Sequence, residues 1–181
     1  LNFSQNYRAI TFNDMRVVNP NFRIDPNLED EKGFTADIGF RGFYKRAVKW
    51  DVSAFYLFYN NRIGLISQVD STLNNLYMYR TNIASSRNVG VESFVSWDMA
   101  QSFFDSANFE LNLFLNAAYI DARYIRSERT EINGNSVELA PAFTLKTGLS
   151  YKRNNLGVSW QISYTDEQFT DATNAVNTPN A

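Results

Sequence analysis

Phe109-Glu110-Leu111-Asn112-Leu113-Phe114-Leu115-Asn116-Ala117-Ala118-Tyr119 decides the architecture. Phe109, Leu111, Leu113, Leu115, Ala117 and Tyr119 share one face; Glu110, Asn112, Phe114, Asn116 and Ala118 share the other. Successive side chains of a strand point to opposite faces, so alternation over about ten residues predicts a half-buried strand. The same period recurs on both sides of this stretch. Phe34, Ala36, Ile38 and Phe40 oppose Thr35, Asp37, Gly39 and Arg41. Trp50, Val52, Ala54, Tyr56 and Phe58 oppose Asp51, Ser53, Phe55, Leu57 and Tyr59. Val89, Val91, Val95 and Trp97 oppose Gly90, Glu92, Phe94 and Ser96. Phe143, Leu145, Leu149 and Tyr151 oppose Thr144, Lys146, Gly148 and Ser150. Leu156, Val158, Trp160, Ile162 and Tyr164 oppose Gly157, Ser159, Gln161 and Ser163. None of these six apolar faces carries a charge. Strands are expected near 33–43, 48–60, 77–98, 108–120, 139–151 and 156–165, with an earlier one over 1–8. The expected fold is all-β, an antiparallel meander of about seven strands, with no sustained helical period.

Composition narrows the function. Lys+Arg number 17 and Asp+Glu 19 in 181 residues, for a net charge of -2. Nothing there favours a nucleic-acid partner. There is no His, so His-based triads and His-metal sites are excluded; there is no Cys, so thiolate catalysis, zinc-thiolate sites and disulfides are excluded. No catalytic residue, resident metal or cofactor is expected. No apolar run approaches the ~18–20 residues of a membrane helix, the longest covering only residues 54–59. Aromatic residues make up 15% of the chain, which favours strands.

The connections alternate. Residues 44–49, 152–155 and 99–107 are short links; 9–32, 60–76, 121–138 and 166–181 are long and polar. An apolar face of period two suits either the core of a soluble β-sandwich or the lipid-facing wall of a membrane barrel. Aromatics mark both ends of the stripes. Tyr44, Trp50, Trp97 and Tyr151 sit at the short-turn end, and Phe34, Phe58, Tyr119 and Tyr164 at the long-loop end. Paired aromatic girdles are a membrane-barrel feature.

Several segments add to this. Within 13–39, the run from Asn19-Pro20-Asn21 through Glu29-Asp30-Glu31-Lys32 to Asp37-Ile38-Gly39 resembles the N-P-x-L-x-x-E-K-x … E-x-G stretch of TonB-dependent outer-membrane receptors. Residues 52–64 resemble that family's hairpin arm ending N-R-I, 82–92 its N-…-G-V-E strand, and 139–149 its L-A-P-…-G-L strand. Gln168-Phe169-Thr170-Asp171-Ala172-Thr173-Asn174 is similar to a loop of the ferric-citrate-transporter subgroup. Ile10 departs from a common Pro. The resemblance covers nearly the whole chain. It implies a 22-stranded up-and-down transmembrane barrel around an N-terminal plug, in the outer membrane of a Gram-negative bacterium. Residues 1–181 are then expected to be a fragment of the later part of the barrel domain, with the plug and terminal strands absent. The implied partners are outer-membrane lipid and lipopolysaccharide, TonB through the absent plug region, and a ferric chelate.

Candidate site residues follow from charge and placement. Asp37, Arg41, Asp51, Glu92, Glu110 and Lys146 are expected to face the lumen, either toward a plug or in a wall ion-pair network. Phe55, Leu57 and Phe114 face the same way and are expected to pack against the plug. The loop cations are nearly all Arg. Arg16, Arg23, Arg62, Arg80, Arg123, Arg126 and Arg129 are candidates for binding an anionic chelate, since the guanidinium fork suits carboxylates; the other reading has them facing lipopolysaccharide phosphates or water. Asp25, Glu29, Asp30 and Glu31 form an acidic cluster that reads either as a cation-bridging site or as a solvated loop end. Two functions stay open: a receptor importing a ferric chelate, and a soluble or secreted β-sheet binding module. A barrel enzyme ranks behind them, since its usual Ser/His pair is impossible here.

Overall fold

The computed structural model describes residues 1–17, 19–70, 75–104, 107–127 and 129–181. The chain runs β1 (Asn2–Arg8), β2 (Phe22–Ile24), β3 (Glu31–Tyr44), β4 (Val48–Asp70), β5 (Asn75–Asp98), α1 (Met99–Phe103), β6 (Glu110–Arg126), β7 (Phe143–Arg153), β8 (Leu156–Thr165), β9 (Gln168–Phe169) and β10 (Asn177–Thr178). The sheet order is β1-β3-β4-β5-β6-β7-β8, every neighbouring pair antiparallel. The predicted meander is therefore present. Its end strands β1 and β8 are not paired to each other among the described residues, so the sheet is open.

Register puts the six apolar stripes on one side. Ile38, Ala54, Val91, Tyr119 and Phe143 lie in one cross-strand row. Gly42, Trp50, Val95, Leu115, Thr147 and Ile162 form another, nearer the short turns. The short links suit their residues. Lys45 and Arg46 both take positive φ (47° and 57°) and Ala47 N–H donates to Tyr44 O at 3.0 Å, a β-turn centred on these two residues within the three-residue link, which follows the twist of the strands. Asp98 caps α1, its carboxylate accepting from Gln101 N–H at 2.9 Å. This single turn of helix lies in a connection, and residues 105–106 of that connection are outside the described set.

Three expectations need correction. Residues 60–76 are not a polar loop: β4 and β5 continue as a paired hairpin to Asp70 and Asn75, with 71–74 outside the described residues. A bulge between Tyr59 and Arg62, where Asn61 takes φ 56°, breaks the period of two and hides the continuation. Residues 121–126 likewise extend β6. At the start of β7 the sense is opposite, the strand beginning at Phe143 rather than 139: Leu139 has φ 56°, and Pro141 has no N–H to donate. The unexpected β2 runs parallel to β5, pairing Phe22 with Met78 and Ile24 with Arg80.

The buried core is small and lies at the long-loop end. Ile66, Ile83, Ala84, Ala122, Tyr124, Ile132, Val137 and Ala172 form it. Ala122 and Tyr124 point to the side of β6 opposite the apolar face, and the 134–137 segment lies along β6, with Val137 N–H donating to Ala122 O at 3.0 Å, which brings Ile132 and Val137 into this cluster.

Candidate functional site

The two faces of the wall differ in chemistry. Ile38, Phe40, Val89, Val91, Leu149, Val158, Trp160 and Ile162 are all exposed on the apolar face. A contiguous exposed apolar patch of this kind marks a protein–protein or membrane surface. Aromatic rings bound it. Phe3, Phe34, Tyr56 and Phe58 stack at the long-loop end with centroids 5.7 Å apart, and Phe143 meets Tyr164 at 6.2 Å. At the other end Trp97 meets Phe103 at 5.5 Å, and Phe109 meets Phe104 and Tyr151 at 5.4 and 5.8 Å. Trp50 and Phe58 are eight residues apart on β4. At ~3.4 Å per residue and a tilt of ~40° this spans roughly 21 Å, close to the ~25 Å apolar band of an outer-membrane barrel.

The opposite face is polar. Arg41 binds Asp51 on the neighbouring strand at 2.6 Å, Asp37 accepts from the Asn2 amide at 3.0 Å, and Glu110 accepts from Lys152 at 3.4 Å. Register places Glu92 opposite Ser53 and Ala118, and Lys146 opposite Asn116 and Ser163, so these two are not cross-strand partners. Phe55 and Phe114 lie against wall glycines. A Cβ on Gly90 would fall 2.5 Å from Phe55 Cζ, and one on Gly148 would fall 2.5 Å from Phe114 Cε1. Each ring thus covers the gap left by a glycine directly opposite on the next strand. Both glycines are visible on the polar face in the sequence, but matching each to its ring needs the strand pairing.

The long-loop end is a cross-braced rim. Arg8 holds both Asp14 oxygens at 2.9 Å and Glu31 at 3.0 Å. Burial alone would raise the Asp14 carboxyl, but hydrogen bonds from the Thr11 hydroxyl and N–H and from Arg8 outweigh it and hold it below the usual carboxylate range. Asp25 is also held low, mainly by the Thr81 hydroxyl at 2.5 Å and then by Asn27 N–H. Glu29 accepts from the Asn61 amide at 2.6 Å, and Asp30 from the Tyr7 hydroxyl and from Ile10 N–H at 2.8 Å. Each acid of the cluster thus has its own donors on other segments. Among the described residues no group of acidic side chains converges on a cation site. Burial, followed by the hydrogen bond to Glu138, pushes the Tyr124 phenol up, so it stays a neutral donor to that carboxylate.

Only Arg16 and Arg129 of the seven arginines lie in loops; Arg23 is in β2, Arg62 in β4, Arg80 in β5, and Arg123 and Arg126 in β6. Arg23 binds Asp70 at 2.6 Å and lies over the Tyr77 ring. Arg80 covers Phe22 and donates to Asn13 O. Arg123 binds Asp121 at 2.8 Å, and Arg129 meets Glu131 at 3.4 Å. Arg62 stacks over Tyr59, its buried Nε without a partner among the described residues. Arg16 and Arg126 are exposed, and no hydrogen bond or ion pair holds the side chain of either among the described residues. Arg126 lines a polar rim pocket with the carboxylates Asp25 and Glu29 and with Asn60, Asn61, Asn82 and Ser85. The amides and the hydroxyl were not singled out from sequence; the Asn60-Asn61 pair was the available signal. The 168–174 segment is occupied in docking: the Asn174 amide and Ser136 backbone exchange bonds of 2.8 and 2.9 Å, and Asp171 accepts from Thr173 and Val176 N–H.

The family described as TonB dependent receptor-like, beta-barrel has a model that matches residues 1–181. No curated protein matches the sequence. The wall superimposes on solved structures. The ferric citrate transporter FecA, in its unliganded form, is 21% identical over 86% of this chain and 23% of its own, with a TM-score of 0.66. The copper transporter OprC is 12% identical over 99% of this chain and 27% of its own, TM-score 0.70. The siderophore receptor PiuA from Acinetobacter baumannii is 17% identical over 99% of this chain and 25% of its own, TM-score 0.67. The chain therefore spans about a quarter of the length of these structures, and at such identities the likeness is one of fold.

Proposed function

The chain belongs to the TonB-dependent receptor β-barrel family, and from that premise we propose that the protein containing it is an outer-membrane receptor of a Gram-negative bacterium that imports a ferric chelate, either a siderophore or ferric citrate. On this reading residues 1–181 are part of the barrel domain, and TonB acts through a plug region outside this chain. The protein is a receptor and not an enzyme. Family membership carries the proposal. The exposed apolar band between two aromatic girdles supports residence in a membrane, and the named functions of FecA and PiuA support the cargo class. A soluble binding module would need a second layer over the apolar face, and the described residues supply none.

The chelate contacts are proposed at the rim. The Arg16 and Arg126 side chains carry no internal partner among the described residues, and Arg62 is only partly engaged; these three lead over Arg23, Arg80, Arg123 and Arg129. A carboxylate bound by a desolvated guanidinium contributes roughly 1.5–3 kcal/mol. Losing two contacting arginines is expected to weaken binding at least a hundredfold. The test is ferric-citrate and ferric-siderophore binding and uptake by cells expressing the full-length protein, with Arg16, Arg62 and Arg126 changed to Ala singly and in pairs. Normal uptake by every variant removes these arginines from the site. Uptake of copper and of no ferric chelate overturns the cargo assignment.

A further inference from the structure

Just above the apolar band, on its own side of the wall, two arginines stand directly opposite each other. Arg87 on β5 pairs in register with Arg123 on β6. Like charges facing each other across a ladder are destabilising unless something else binds them. One carboxylate is shared: Asp121 lies 2.8 Å from Arg123 Nε and 3.4 Å from Arg87 Nη2. Arg123 also donates to Gly134 O at 3.0 Å. Arg87 Nε is buried and has no partner among the described residues. The cluster keeps a net charge of +1 and several unused N–H donors.

Its surroundings are apolar. Directly beneath runs a trough lined by Ala36, Ile38, Ala54, Val89, Val91 and Tyr119. The small residues Ala36 and Ala54 make its floor, and the exposed Tyr119 stands at its side. Arg87 is ten residues from Trp97 on the same strand. At ~3.4 Å per residue and a tilt of ~40°, that is roughly 26 Å above the short-turn girdle, the level of lipid headgroups. There, at the edge of a low-dielectric medium, paired guanidiniums favour a phosphate, for which their fork geometry is suited.

We propose that Arg87 and Arg123 form a phosphate-binding site on the outer wall for a phosphorylated glycolipid of the outer leaflet, with an acyl chain of the same lipid lying in the trough below. This rests on the outer-membrane residence proposed above but not on the identity of the cargo. Asp121 acts as the spacer that lets two cations stand together before the lipid arrives.

The test is native mass spectrometry of the full-length protein in detergent, with diphosphorylated lipid A, dephosphorylated lipid A and inorganic phosphate as probes. The wild type should retain one diphosphorylated lipid A and bind the dephosphorylated form at least tenfold more weakly. Retention should fall at least tenfold in R87Q/R123Q, which removes the charges, and in A54F, which fills the trough and keeps them. It should be unchanged in R46Q/R153Q, which removes two cations at the short-turn end. Equal wild-type binding of the two lipids overturns the site, and that comparison does not depend on any variant folding. Retention unaffected by both R87Q/R123Q and A54F, or displacement of the lipid by millimolar phosphate, also overturns it. Membrane fractionation and ferric-chelate uptake of the wild type are measured in parallel: a failed lipid site with normal uptake leaves the transport reading standing, whereas a wild type absent from the outer membrane removes both.

Discussion

Leu113 and Asn112 are adjacent in sequence and lie on opposite faces of the sheet. Leu113 sits between Trp97 and Leu149 on the apolar face; Asn112 sits between Asp98 and Ser150 on the polar one. Leu113 is level with Trp97 in the short-turn girdle, so the cost is read at Ala117, on the same face between Ser93 and Leu145 and nearer the middle of the band: arginine there is expected to destabilise the folded barrel by about 2–4 kcal/mol, and arginine at Asn116 by much less, because the lumen is wet. Urea titration of the full-length protein in lipid vesicles measures both, and equal costs would contradict the assignment of faces. The glycines give a second prediction. A Cβ at Gly90 meets the Phe55 ring at 2.5 Å and the Tyr119 carbonyl oxygen at 2.7 Å, whereas one at Gly157 meets nothing within 4 Å. G90A is expected to cost about 1–3 kcal/mol through overpacking, with G157A close to neutral, read in the same titration. At this scale the sequence was legible wherever the period of two held. Lumen-facing Phe55 and Phe114 were not legible as glycine covers, because the pairing of strands must be known before opposite residues can be matched.

The elements of the rim behave differently from the wall. The segment between β1 and β3 is held by Asp14, Asp25 and Asp30, all three carboxyls lying below their usual range. A carboxylate whose folded value is depressed contributes stability that is present above its unfolded value, ~4, and lost as pH falls through the folded value. Residues 9–30 are expected to stay protected from amide exchange at pH 5 to 7 and to loosen below about pH 4 while β6 and β7 remain protected. Exchange measured by mass spectrometry at pH 7 and at pH 3 tests this, and uniform loss across rim and wall would contradict it. Element boundaries were the least legible part of the sequence. β4 and β5 run past the long-loop girdle, but the bulge at Asn60-Asn61 shifts their phase, so the alternation breaks where the strand continues. Asp121 and Arg123 looked like a loop because they are charged, yet they occupy strand positions just above the apolar band. The candidate arginines were visible as a class; which of them are consumed by Asp70, Asp121 and Glu131 depended on contacts distant in sequence or set by the fold.

For the whole molecule, the central claim is that one side of this sheet faces lipid and the other a wet lumen. The chain has no cysteine, so single cysteines can be placed one at a time from 111 to 117 along β6 of the full-length protein, its remaining cysteines replaced where present. Spin labels at these sites, read by power saturation in outer-membrane vesicles, report collisions with oxygen, which concentrates in lipid, and with a water-soluble nickel chelate. Labels at 111, 113, 115 and 117 are predicted to favour oxygen and those at 112, 114 and 116 the nickel chelate, in strict alternation. Nickel accessibility equal at odd and even positions, or oxygen preference on the even ones, would contradict the account.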